Sequence, residues 1–268
     1  MGELLTYGFF QYALVTAFFA AVSCGMVGTY IVARRMVFIS GGITHASFGG
    51  IGIGYYLGIN PIAGAAVFAV LSALGIEYSS RKTGIREDSA IAILWALGMA
   101  IGVIFVFITP GYAPNLMSYL FGNILTAGPS DIWLLAALTL LVLVFYVLQF
   151  NNILYVAFDE EYARARNMPV NMVKYVMMTL IALAIVFNIR VVGIILVISL
   201  LTIPQTIANM FVRRFFGMML LSVAIALLGT FTGLFLAFWF SIPSGAAIIF
   251  FLVILFFLAR LILWVMKR

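Results

Sequence analysis

The chain contains one histidine, His45, and one cysteine, Cys24. His45 stands within residues 39–54, Ile-Ser-Gly-Gly-Ile-Thr-His-Ala-Ser-Phe-Gly-Gly-Ile-Gly-Ile-Gly. Polar side chains inside so apolar a stretch are costly in lipid, which makes each a candidate for function. The imidazole, with the hydroxyls of Ser40, Thr44 and Ser47, offers contacts to a passing metal ion. The same groups also suit a hydrogen bond to a neighbouring helix. At helical spacing Gly41 lies one turn before His45 and shares its face. The many glycines permit close approach of another helix. They do not form a nucleotide loop, because no strand precedes them.

A second polar set falls in Val197 to Met210, with Ser199, Thr202, Gln205, Thr206 and Asn209 around Pro204. A proline-interrupted apolar stretch with polar groups either lines a cavity or packs by side-chain hydrogen bonds. The third set, residues 151–171, is the one long polar connection. There Asp159 is placed to cap a short helix, with Glu160 and Glu161 at its positive end and Arg164 and Arg166 in its later turn. Glu160 and Arg164 are an i,i+4 pair, and Pro169 is expected to stop the helix. Phe158 and Tyr162 add aromatics that can face outward. The segment reads either as a solvated loop or as a docking knob for a partner.

Catalysis is not expected. The chain has no Gly-x-x-x-x-Gly-Lys-Ser/Thr and no His-Glu-x-x-His. One histidine and one cysteine cannot close a zinc site, and a lone Cys24 forms no internal disulfide.

These groups must be positioned by helices in lipid. Of the 268 residues 66% are hydrophobic and 8% charged, against about a quarter charged in soluble domains. Runs such as Ala136 to Leu148 and Ala246 to Leu258 are apolar on all faces, unlike the alternation of a membrane barrel. The expected fold is therefore all-α and polytopic, a single transmembrane domain over 1–268. About nine spans are expected (eight to ten possible), near 8–32, 38–58, 62–79, 89–108, 130–149, 172–188, 191–211, 217–240 and 245–264. The N-terminus lacks the basic start of a signal peptide, so the first run is read as a retained span. Segment 109–129 is either an external loop or, around Leu116 to Leu125, a short re-entrant helix.

The net charge of +6 does not point to nucleic acid. The basic residues gather at alternate connections, leaving only Arg190 and Arg260 of the fourteen elsewhere. The positive-inside rule then puts the C-terminus in the cytoplasm and the N-terminus outside, in a cell inner membrane.

Four segments carry a resemblance that covers nearly the whole chain. Residues 40–50, Ser-Gly-Gly-Ile-Thr-His-Ala-Ser-Phe-Gly-Gly, resemble Gly-Asp-Ala-Leu-Ser-His-Ala-x-Leu-Pro-Gly of the permeases of ATP-binding-cassette metal-ion importers. Arg86 to Ala90 is similar to the Arg-Glu-Asp that opens that family's fourth span. Ser199 to Ala208 is similar to its Leu-Leu-Thr-Ile-Pro-Ala-Ala-Thr-Ala. Residues 158–169, from Phe158 and Asp159 through Ala163 to Asn167 and Pro169, resemble Phe-Asp-x-Glu-x-Ala-Arg-x-x-Gly-x-Pro, the family's ATPase-docking piece. Three departures stand out: Gly41 for the family's Asp, Gly49 for its proline, and Asn167 for its glycine.

The resemblance implies a type II importer permease, a homodimer with two cytoplasmic ATPases and an external metal-binding protein. It implies no permanently bound cofactor. A divalent ion would be the substrate, zinc first and then manganese or iron, and ATP would be held by the partner. It places the metal path at His45, Thr44, Ser47 and Ser40, a cavity near Ser199, Thr202, Pro204, Gln205 and Asn209, and the coupling helix near 158–169. Two rivals remain, a permease of this architecture for an iron chelate or cobalamin, and a non-transporting membrane scaffold.

Overall fold

A computed structural model describes residues 6–82, 84–110 and 122–266. All regular structure among them is helical. The helices are α1 (Gly8–Ala33), α2 (Phe38–Leu57), α3 (Pro61–Lys82), α4 (Glu87–Ile108), α5 (Pro129–Phe158), α6 (Glu160–Ala165), α7 (Val170–Val192), α8 (Ile194–Leu200), α9 (Ile203–Phe211), α10 (Phe215–Phe240) and α11 (Ser244–Met266). Eight stretches are long and apolar enough to cross a membrane, α8 and α9 counting together as one. The expected span at 38–58 exists as α2, but its glycines, hydroxyls and histidine make it too polar to qualify by hydropathy. Large apolar side chains face outward, with Phe107 87% and Trp239 76% exposed. In water such a surface would aggregate, whereas in lipid it is the ordinary exterior. The chain is a multi-pass membrane protein.

The chain divides into two compact units. One holds α1, the start of α5 and everything from Val191 onward. Within it α1 packs on α10, and α10 on α9 and α11. The other holds Arg34 through α4, the end of α5, α6 and most of α7. There α2 packs on both α3 and α4. Side chains of ordinary size would keep these helices apart. At the α2–α3 crossing a Cβ on Gly50 would overlap the Gly64 carbonyl, so glycine at both places lets the backbones touch.

Two local expectations change. Helix α5 does not end near residue 149 but runs on to Phe158, with a non-helical step at Gln149 (φ −120°, ψ 18°). Buried Ile153 and Val156 give that extension an apolar inner side, which a loop reading of 151–158 overlooked. The expected span at 191–211 is broken twice, by Gly193 at φ 81° and again at Leu201–Thr202. The idea of a re-entrant helix in 116–125 falls mostly outside the described residues. Its described end enters a single 3-10 turn, Ile124–Thr126.

Candidate functional site

Helix α2 turns Gly41 and His45 toward α4. The ring of Trp95 lies against both. It stacks on His45 with centroids 4.4 Å apart and planes 4° from parallel, and it sits 3.6 Å from where a Gly41 Cβ would be. Phe48 stacks more distantly, at 6.4 Å. Nδ1 of His45 is buried with no hydrogen-bond partner among the described residues. The three expected hydroxyls lie on a different face. Ser40, Thr44 and Ser47 are buried and donate to the carbonyls of Val37, Ser40 and Thr44 of their own helix. Such back-bonding satisfies a hydroxyl locally. It uses the hydroxyl hydrogens and leaves the oxygen lone pairs, so what separates these residues from His45 is their face of α2. Among the described residues no three His, Cys, Asp or Glu side chains gather to hold a metal ion.

In the second polar set Gln205 spans a helix break. Proline has no N–H, so Pro204 cannot donate to the carbonyl four residues back, that of Leu200. Nε2 of Gln205 donates to it instead, at 3.0 Å, and also to the Cys24 carbonyl of α1 at 3.0 Å. The amide reaches α1 because residue 28 is glycine; a Cβ there would collide with it. Gln205, Pro204 and Ser199 are buried, Thr202 is half-buried and Asn209 is exposed. Ser199 and Thr202 donate to Ile195 and Ile198 of their own helix.

The third set forms the expected short helix. Oδ1 of Asp159 accepts from the Tyr162 amide at 2.9 Å, as an N-cap does. Arg164 donates to Glu160 at 2.6 Å. The helix stops before Pro169 is reached. Asn167 takes a left-handed conformation, φ 54°, while the Met168 and Asn167 amides bond back to Ala163 and Arg164. This is a Schellman closure. Asparagine adopts that conformation more readily than other non-glycine residues, which explains how it replaces glycine here. Pro169 instead precedes the first turn of α7, where a missing N–H costs nothing. Ala163 is buried and seats the helix, while Phe158, Glu161, Tyr162, Asn167 and Pro169 face outward. Arg166 lies over the Tyr162 ring at 5.7 Å.

Glu160 also faces inward. Its second oxygen lies 3.0 Å from Nζ of Lys174 and 3.6 Å from Arg34. Partial burial alone would raise this carboxyl. Hydrogen bonds from Arg164 and Lys174, with the charges of Lys174 and Arg34, overcome it and hold the group down at about 2. In the sequence Lys174 is one basic residue among several near a span end, and Glu77 and Trp95 belong to no motif. The one available signal was that Glu77 is a carboxylate inside an apolar stretch.

A glycine-packed bundle with one unsaturated imidazole, and an outward-facing capped helix on a connection between spans, has the build of a membrane transport component. Comparison with known proteins agrees. The sequence profile of the ABC 3 transport family matches residues 6–263, and the chain belongs to that family. It is 42% identical to the uncharacterized membrane protein slr2045 of Synechocystis sp., over 93% of this chain and 89% of that one. It is 32% identical to the manganese transport system membrane protein MntC of Halalkalibacterium halodurans, over 92% and 85%. Among solved structures, PsaBC from Streptococcus pneumoniae in complex with Fab superposes with a TM-score of 0.85 at 30% identity, over 96% and 93%.

Proposed function

We propose that this chain is the permease of an ATP-driven importer of divalent metal ions, working as a homodimer with cytoplasmic ATPases and an external metal-binding protein. The observation that carries the reading is the helix Glu160–Ala165, capped at both ends and displaying Phe158, Glu161 and Tyr162 outward. A free loop has no need of an N-cap, a Schellman closure and a buried anchor. A lever that must transmit force does. In this reading α6 and the C-terminus lie in the cytoplasm, and the N-terminus lies outside.

The ion passes His45. A single imidazole binds transiently, and an ion that must leave again needs weak ligands. Zinc is accepted well by imidazole, but the relative bearing the name of a manganese transport protein makes manganese the first ion to test. Gly41 removes one hard carboxylate ligand from the path the family resemblance implies.

The test is uptake of Mn²⁺, Zn²⁺ and Fe²⁺ into proteoliposomes containing the chain with its ATPases. ATP-dependent uptake of at least one ion, lost in His45→Ala, is the expected result. Uptake that is equal without ATP overturns the reading. Phe158→Asp should strip the ATPase from the purified complex, and its retention would remove α6 as the docking element.

A further inference from the structure

Lys174 and Glu77 are a buried pair behind Glu160 of the docking helix. Each is about 5–6% exposed, and Nζ of Lys174 lies 2.7 Å from a Glu77 oxygen. The same Nζ lies 3.0 Å from Glu160. An ammonium has three donors and no acceptors, so one lysine grips two carboxylates on two different elements. Glu160 opens α6, Lys174 belongs to the start of α7, and Glu77 stands near the end of α3. Arg34 and Arg164 hold Glu160 from its other sides. The charges of Arg34, Glu77 and Lys174 also reach Glu87, in the first turn of α4.

Stability does not explain this choice of residues. A buried ion pair can often be exchanged for apolar side chains without loss, whereas removing one partner alone is severe. That asymmetry makes the cluster a stiff link. If α6 were pushed away, Lys174 and Glu77 would stay paired with each other, but a donor of the buried ammonium would lose its acceptor on Glu160. The less costly response is for α7 and α3 to follow. Helix α3 is in turn locked to α2 at the Gly64–Gly50 crossing, and α2 carries His45.

We propose that Lys174 is the joint that carries movement of the docking helix into α3 and so to the His45 helix, setting how many ions cross per ATP hydrolysed. This rests on the permease reading above. Lys174 is thereby a positioning residue, acting through Glu160 and Glu77 and not on the ion.

The experiment compares ions transported with ATP hydrolysed in proteoliposomes holding the complete complex. The double variant Glu77→Leu with Lys174→Met removes both buried charges and keeps apolar volume, while Glu160 retains Arg34 and Arg164. Hydrolysis within about twofold of wild type and an ion-to-ATP ratio at least about tenfold lower is the expected result. Lys174→Arg, which keeps a cation for both carboxylates, should recover most of the ratio. A wild-type ratio in the double variant overturns the joint alone. Absence of ATP-driven uptake by the wild type overturns the permease reading and the joint with it. Should the double variant fail to assemble, hydrogen exchange on the wild-type complex decides. Nucleotide must change protection at the end of α3 in step with residues 158–169, and an unresponsive α3 overturns the joint.

Discussion

Trp95 and His45 lie face to face, 4.4 Å between ring centroids and 4° between planes, in the middle of α4 and α2. The indole fixes the orientation of the one imidazole in the chain and occupies the space beside Gly41. A stacked aromatic pair contributes about 0.5–1.5 kcal/mol beyond its buried area. If His45 meets the ion, Trp95→Ala should raise the KM for metal uptake roughly two- to tenfold, with a smaller effect on kcat. Trp95→Phe, which keeps a stacking face, should stay near wild type. Uptake measured over a range of Mn²⁺ concentrations separates the two parameters. An unchanged KM in the alanine variant would show that the stack is packing alone.

The break at Leu201–Thr202 yields a second expectation. Gln205→Leu removes the donor that serves the Leu200 and Cys24 carbonyls. A buried acceptor left unpaired costs about 1–3 kcal/mol. The variant should therefore unfold several degrees lower in detergent, as followed by intrinsic fluorescence. Pro204→Ala restores a backbone N–H four residues after Leu200, so the double variant should recover part of the loss. Such non-additivity is the mark of two groups serving one carbonyl. Strict additivity would mean that Gln205 does not stand in for the missing N–H.

What could be read from the sequence was whatever depends on neighbours in the chain. Apolar runs fixed the existence of the helices, and i,i+3 or i,i+4 logic placed Asp159 over Tyr162 and Glu160 against Arg164. The two-turn advance of α5 past Gln149 was masked by Asn151 and Asn152, whose polarity looked like a loop. Glu77 stands out as a carboxylate in an apolar stretch, but its pairing with Lys174, nearly a hundred positions away, comes only from the packing of α3 and α7. Trp95 belongs to no motif, and its stack on His45 comes from the packing of α4 on α2. The hydroxyls of α2 donate to carbonyls of their own helix, a local bond that the polarity of the residues does not announce.

The anchoring of α6 should depend on pH with a definite sign. Glu160 sits at about 2 in the folded chain against an ordinary 4.5. A carboxyl lowered on folding stabilises the folded form fully above the ordinary value and loses that contribution as pH falls toward the folded one. Protection of residues 158–169 from hydrogen exchange, corrected for the intrinsic rate, should be flat from pH 8 to about 5 and decline below 4.5. Glu160→Gln should be less protected above pH 4.5, lack the decline, and meet the wild type at the acid end. A decline in wild type that begins near neutrality would point to a different group.

Asn167 supplies the remaining test, because its backbone and its place in the docking segment make opposing demands. At φ 54° it is left-handed, and it closes α6 through the Met168-to-Ala163 and Asn167-to-Arg164 bonds. For L-residues that conformation costs roughly 1–2 kcal/mol, less for asparagine and nothing for glycine. Asn167→Gly should leave α6 as well closed as before and ATP-driven uptake unchanged. Asn167→Val, β-branched and ill-suited to positive φ, should open the closure and expose the Met168 amide to exchange. Because Pro169 cannot extend α6 and Ala163 is its buried seat, the frayed end would tilt the outward face bearing Phe158 and Tyr162. Weakened retention of the ATPase with the valine variant, and normal retention with glycine, is the expected pair of results. If valine retains the ATPase as well as wild type, the C-terminal closure does not aim the docking face, and the N-cap at Asp159 alone must hold it.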